Sequence, residues 1–237
     1  MTLSEIYQVC VPEKKRKTDR LIPWLFYVVR PLSIIISKPL LKTSVTPVNV
    51  TFISMVATLI GFGMLGFGSS VLTRFLGWLA FFVWAVLDCV DGNIARCKGL
   101  ASERGALWDA TGGYMALSLI FFSAGIAAYY DTNYIEIIDK HLYIVLGGLT
   151  SLMSLLPRLV MQKKKAGEND SDAVKAVRDK ASFSIPKIIA LNIESAIGFM
   201  QVILLLALIF HFLNIFVVVY FFFNLLIMTY SLYALLK

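Results

Sequence analysis

Asp88, Asp91 and Asp109 are the residues of this chain best placed to do chemistry together. They lie in DCVDGNIARCKGLASERGALWDATGG, residues 88–113. Asp88, Asp91 and Ala95 fall at i, i+3 and i+7, one face of a helix, with Gly92 beside them. Gly105, Asp109 and Gly113 fall at i, i+4 and i+8 on the next helix. Three gathered carboxylates repel and need a counter-charge, which a divalent cation supplies. The chain has only two histidines, His141 and His211, and no CxxC pair, so a His/Cys metal site is not expected. Oxygen-only ligands suit Mg²⁺ or Mn²⁺. Arg96 adds a fixed positive charge suited to phosphate. Small residues at 92, 95 and 105 let a bulky group approach the backbone. This array describes a metal–diphosphate site. For an isolated aspartate, helix capping at a membrane interface would be the simpler reading.

The elements that must hold these residues are membrane helices. Of 237 residues 58% are hydrophobic and only 16% charged, with long apolar runs. The short alternating segments of a β-barrel are absent from the sequence. The expected fold is an all-α integral membrane protein with six transmembrane helices, near 49–68, 72–92, 105–129, 142–162, 187–209 and 212–235. We read one membrane domain over 1–237, with 1–45 as a cytoplasmic or interfacial N-terminal segment and 46–237 as the six-helix bundle. Between Arg74 and Asp88 lie 13 apolar residues, about 20 Å of helix, against about 30 Å of hydrocarbon. Asp88 and Asp91 should therefore sit at or just inside one membrane boundary. Asp109 opens the third span, ahead of 21 uncharged residues, and should lie at the same depth. Bare carboxylates at that depth are unfavourable by about 3 kcal/mol each.

The opening residues are polar and mixed and do not read as a cleavable signal peptide. The basic run PEKKRKTDR is followed by LIPWLFYVVRPLSIIISKPLLK, which Arg30 and Lys38, with Pro31 and Pro39, interrupt. Arg30, Ser33 and Ser37 share a face, which suits an interfacial amphipathic helix, with a short first span as the alternative. Lysines and arginines fill the N-terminal segment, the 93–104 loop and the 163–186 loop, which places both termini and the site on the cytoplasmic face. The net charge of +7 then reflects orientation and affinity for anionic lipid, not nucleic acid. SDAVKAVRDKAS could form a short surface helix capped by Asn169 or Ser171. The sequons at Asn49 and Asn169 fall on that same side and are discounted. Cys10, Cys89 and Cys97 read as free thiols on a reducing face.

Asp88, Asp91, Gly92, Ala95, Arg96, Gly105 and Asp109 resemble the CDP-alcohol phosphotransferase signature, D-x2-D-G-x2-A-R-x8-G-x3-D-x3-D, at seven of its eight fixed positions. TPVNVT, residues 46–51, resembles the family's TPNxVT stretch. The resemblance implies transfer of a phosphoryl-linked group from a CDP-linked donor to an alcohol, with release of CMP, in phospholipid or related phosphodiester synthesis. It implies that Asp88, Asp91 and Asp109 hold metal, two Mg²⁺ or Mn²⁺ ions. Asp88, Gly92, Ala95, Arg96, Gly105 and Thr51 would bind the nucleotide, Asp109 would be catalytic, and the protein would be a homodimer. The sequence departs from the pattern twice. The fourth aspartate, the family's proposed base, is Gly113, and the asparagine of TPNxVT is Val48.

The favoured donor is CDP-diacylglycerol, because the carboxylates lie at headgroup depth. Arg158 and Glu194 are candidates for the acceptor pocket, or else a snorkelling arginine with a paired glutamate. Three readings remain open. The first is an active transferase, with a base from elsewhere such as Glu194. The second is a member that binds CDP-lipid and metal without turnover. The third is a transporter or channel, which leaves Gly92, Ala95, Arg96 and Gly105 unexplained.

Overall fold

The structure, a computed structural model, describes residues 2–131, 138–167 and 184–237. The possible surface helix in SDAVKAVRDKAS, residues 171–182, its caps, the Asn169 sequon and most of the acidic 131–141 loop lie outside the described residues. Short helices α1 (Leu3–Cys10) and α2 (Glu13–Asp19) lead into a π-helical turn at Leu25–Val29 and then α3 (Arg30–Leu40). The long helices follow: α4 (Pro47–Phe67), α5 (Val71–Cys97), α6 (Glu103–Tyr129) and α7 (Lys140–Gly167). The chain ends with α8 (Ile185–Glu194), α9 (Phe199–Ile209) and α10 (Leu213–Leu236). Among the described residues every regular element is helical.

Five of these helices are long and apolar enough to cross a membrane, and α8 with α9 makes a sixth if the bent pair is one span. All six expected spans are matched to within a few residues, except that the fifth is broken. Its halves meet at 52°, and the backbone at 195–198 is not helical. Irregular backbone at membrane depth is tolerated where it is buried in protein or lines a cavity.

Local chemistry sets the ends nearest the aspartates. Thr46 caps α4 by accepting from the Asn49 N–H, and Pro47 takes the first turn, where no donor is needed. Ser102 caps α6 by accepting from the Gly105 N–H at 3.1 Å. α5 ends at Cys97, and Gly99 leaves it with φ +67°, a conformation natural to glycine.

Close approach between helices follows from small residues. A Cβ on Gly77 would lie 2.3 Å from the Leu65 backbone nitrogen, so α4 and α5 pack backbone to backbone. Gly125 and Gly147 do the same for α6 and α7. α9 is tied to α5 by polar bonds, from Trp78 Nε1 to the Gln201 carbonyl and from Gln201 Nε2 to the Phe81 carbonyl.

The N-terminal segment packs onto the bundle through the face anticipated for α3. Arg30, Ser33 and Ser37 are buried, and Asn93 Nδ2 on α5 donates to both serine hydroxyls, at 3.2 and 3.1 Å. α3 is not among the helices long and apolar enough to cross a membrane. The expectation of three free thiols is corrected here. Cys10 on α1 and Cys97 at the end of α5 are joined by a disulfide, and Cys89 is free and buried. Two cysteines 87 residues apart became partners because α1 folds back over the end of α5.

Candidate active site

Asp91 is the most tightly held of the three aspartates. It is 3% exposed, and its Oδ2 accepts from the Thr51 hydroxyl at 2.6 Å. That hydroxyl also lies 3.1 Å from the Pro47 carbonyl, and its single proton goes to the shorter, charge-assisted contact. The cap at Thr46 thus places Thr51 one turn into α4, and Thr51 orients Asp91. Asp88, one turn earlier on α5, faces Asp109 on α6, and their carboxyls adjoin.

Gly92 has a specific local use. A Cβ there would lie 3.1 Å from both terminal nitrogens of Arg96. Without it, the guanidinium folds back along α5. Arg96 Nε then donates to the Cys10 carbonyl, and Nη2 to Asn93 Oδ1. The close approach anticipated at Gly92 is therefore made first by the chain's own arginine.

Three cavities meet at the aspartates. The first, about 190 Å³, gathers Thr51, Asp91, Gly92, Ala95, Arg96, Gly105 and Asp109. Val48, at the position where the TPNxVT pattern has asparagine, lines the same cavity, while Asn49 is exposed. The second, about 260 Å³, lies beneath the N-terminal segment, between Lys15 and Arg30 on one side and Asp88, Asp91 and Asp109 on the other. The third, about 430 Å³, holds Asp88, Asp109, Gly113, Arg158 and Glu194, and is closed by the irregular backbone at Ser195, Ala196 and Ile197.

Asp88 departs from its expected place. It does not line the first cavity with the other anticipated nucleotide residues, but faces the second and third. The i, i+3 offset turns it away from Asp91 towards Asp109 and α8. Arg158 and Glu194 do reach the aspartates' neighbourhood, joined to each other by an ion pair of 2.8 Å. Gly113 opens onto the third cavity, and a Cβ there would meet nothing within 4 Å.

Two residues of this region escaped the sequence reading. Lys15 lies in a basic run that reads as membrane-facing. Burial first, then Arg30 and Arg96 nearby, hold its ammonium below the usual lysine range. Arg30 is 2% exposed and pairs with Asp19 at 2.9 Å. Its placement with Ser33 and Ser37 on a buried face was the available signal.

Among the described residues no three His, Cys, Asp or Glu side chains stand as a ready-made metal cage. The donor set nonetheless fits a hard cation. Asp88 and Asp109 bring adjoining carboxyls together, and Asp91 shares the second cavity with both.

Residues 44–225 match the family model for CDP-alcohol phosphatidyltransferase. The chain belongs to this family. The match runs from just before Thr46 into α10 and includes every residue that lines the first and third cavities. Comparison with curated proteins finds no match. Membership in the CDP-alcohol phosphatidyltransferase family implies a membrane protein that transfers a phosphatidyl group from a CDP-alcohol to an alcohol acceptor.

Proposed function

We propose that the protein transfers the phosphatidyl group of CDP-diacylglycerol to a small alcohol and releases CMP. One observation carries this reading. The expected nucleotide residues other than Asp88 line one cavity, and the candidate acceptor residues line another, with Asp109 on the wall of both. The nucleotide occupies the first cavity, against Gly92, Ala95, Gly105 and Arg96. The acceptor enters the third, where Arg158 and Glu194 offer both signs of charge.

The acceptor oxygen forms a bond to the phosphorus that carries diacylglycerol. The bond from that phosphorus to the CMP oxygen breaks, and CMP leaves with its electron pair. We assign the hydroxyl proton to Asp109, because Glu194 is engaged with Arg158 and Gly113 has no side chain. Asp88, Asp91 and Asp109 would hold Mg²⁺ or Mn²⁺, two ions by the family resemblance. Such ions would neutralise the diphosphate and the charge developing on CMP. Thr51 keeps Asp91 oriented for this. The basic N-terminal segment supports a site on the cytoplasmic face, and a homodimer is the expected assembly.

A second reading rests on Gly113. The turn of α6 that would present the base carries only open space, which suits a protein that binds CDP-lipid without turnover. The two separate in one assay: CMP release by purified protein with Mg²⁺, CDP-diacylglycerol or a CDP-linked small alcohol, and a panel of polyols, phosphorylated polyols and serine. Release that depends on one acceptor establishes the transferase and names its substrates. Magnesium-dependent CDP binding with no release under any pairing contradicts it and leaves the binding protein.

A further inference from the structure

The second cavity joins signature residues to residues that the signature does not include, Lys15, Asp19 and Arg30. Its outer wall comes from the N-terminal segment, most of which precedes the part of the chain that matches the family model. Arg30 is almost wholly buried, and its Nε donates to Asp19. Its Nη1 is buried without a hydrogen-bond partner among the described residues. Lys15 lines the same cavity, and Arg96 borders it from α5. Lys15, Arg30 and Arg96 face four carboxylates around this cavity, Asp19, Asp88, Asp91 and Asp109; divalent ions held by the last three would take up their charge and leave the cations without a counter-charge beyond Asp19. Gathering like charges around an unpartnered, buried guanidinium nitrogen is unfavourable unless an anion sits among them.

The segment is held in place, not draped over the surface. The Cys10–Cys97 disulfide ties α1 to α5, and the Cys10 carbonyl receives Arg96. Arg16 Nε donates to the Val11 carbonyl at 2.9 Å. Asn192 Nδ2, on α8, donates to the Leu21 carbonyl at 2.6 Å. Lys15 is therefore carried on a braced element.

We infer that this cavity is a phosphate site, in which Lys15, Arg30 and Arg96 receive the phosphate of the CDP-linked donor that is distal to cytidine. The inference rests on the proposed transferase reading. Position supports the distal phosphate. The second cavity shares Asp91, Gly92 and Arg96 with the first, and Asp88, Asp109 and Ile197 with the third. A diphosphate that starts at the cytidine end reaches the second cavity with its farther phosphorus, beside the acceptor.

The test is calorimetric binding of CDP and CMP, with Mg²⁺, to the full chain in neutral detergent. It compares wild type with Lys15→Met, Lys15→Arg and the neighbouring Lys14→Met, whose side chain is exposed. Lys15→Met is expected to weaken CDP about tenfold and CMP less than twofold, with Lys15→Arg restoring CDP and Lys14→Met without effect. Equal affinities in wild type and Lys15→Met, or an equal loss for CDP and CMP, would overturn the inference. So would a Lys15→Met defect seen only with phosphatidic acid doped into the micelles, which would make the anion a lipid headgroup. A wild type that binds CDP while Lys15→Met changes nothing sinks this inference alone. A wild type that binds no cytidine nucleotide sinks the transferase reading as well.

Discussion

At the scale of single residues, the site turns on contacts of one or two atoms. Thr51→Val keeps the shape of the side chain and removes the proton that Asp91 accepts at 2.6 Å. We expect CMP release to fall about tenfold and the melting temperature to fall by a few degrees, because a buried charge-assisted bond is lost at the Asp91 carboxylate. Gly113→Asp makes the opposite change. Its Cβ enters open space, so the fold should tolerate it. If an absent base limits the reaction, the rate should rise about 10²-fold; an unchanged rate would show that Asp109 or another group already serves. The three carboxylates stood out by spacing alone, and the fold brings them to the wall of one cavity. Gly92 was legible as a close approach, but not what approaches it. That Arg96 folds back over it depends on the Cys10 carbonyl, 86 positions earlier in the chain, and no local pattern reports such a partner.

At the scale of elements, α4, α5 and α6 are one unit whose spacing sets the distance between Asp91 and Asp109. Gly77 is the tightest point, with its would-be Cβ 2.3 Å from the backbone of Leu65. Gly77→Ala must push α5 off α4 and is expected to destabilise by about 1–3 kcal/mol. Denaturant titration would show this, with Gly63→Ala, which meets nothing within 4 Å, as the neutral control. The spans were readable because an uninterrupted apolar run of helix length has few other fates in water or lipid. The break between α8 and α9 was not readable. Residues 188–209 form one apolar stretch with a single charge, Glu194. What bends it is tertiary: the Gly198 N–H turns back to the Ser195 carbonyl, and Tyr220 on α10 donates to the Ile193 carbonyl. The bend brings Glu194 to Arg158.

At the scale of the whole molecule, the N-terminal segment changes meaning. Its charge reads as orientation in the sequence, yet folded it also roofs the aspartates and is fastened there by Cys10–Cys97. Alkylation of the denatured, unreduced protein should modify one cysteine, Cys89, and all three after reduction. Closing a loop of 87 residues stabilises by about 4–5 kcal/mol on the chain-entropy account. Reduction should therefore lower the melting temperature, and a Cys97→Ser variant should match the reduced wild type. The claim on which all scales depend is that Asp91 belongs to a centre that transfers a phosphatidyl group. The measurement that tests it most directly is CMP release from CDP-diacylglycerol, with Mg²⁺ and the preferred acceptor, by wild type and by Asp91→Asn of equal thermal stability. The account predicts release by wild type, none when EDTA replaces Mg²⁺, and a loss of at least about 10²-fold in Asp91→Asn. Equal release by Asp91→Asn, or release indifferent to EDTA, would contradict it.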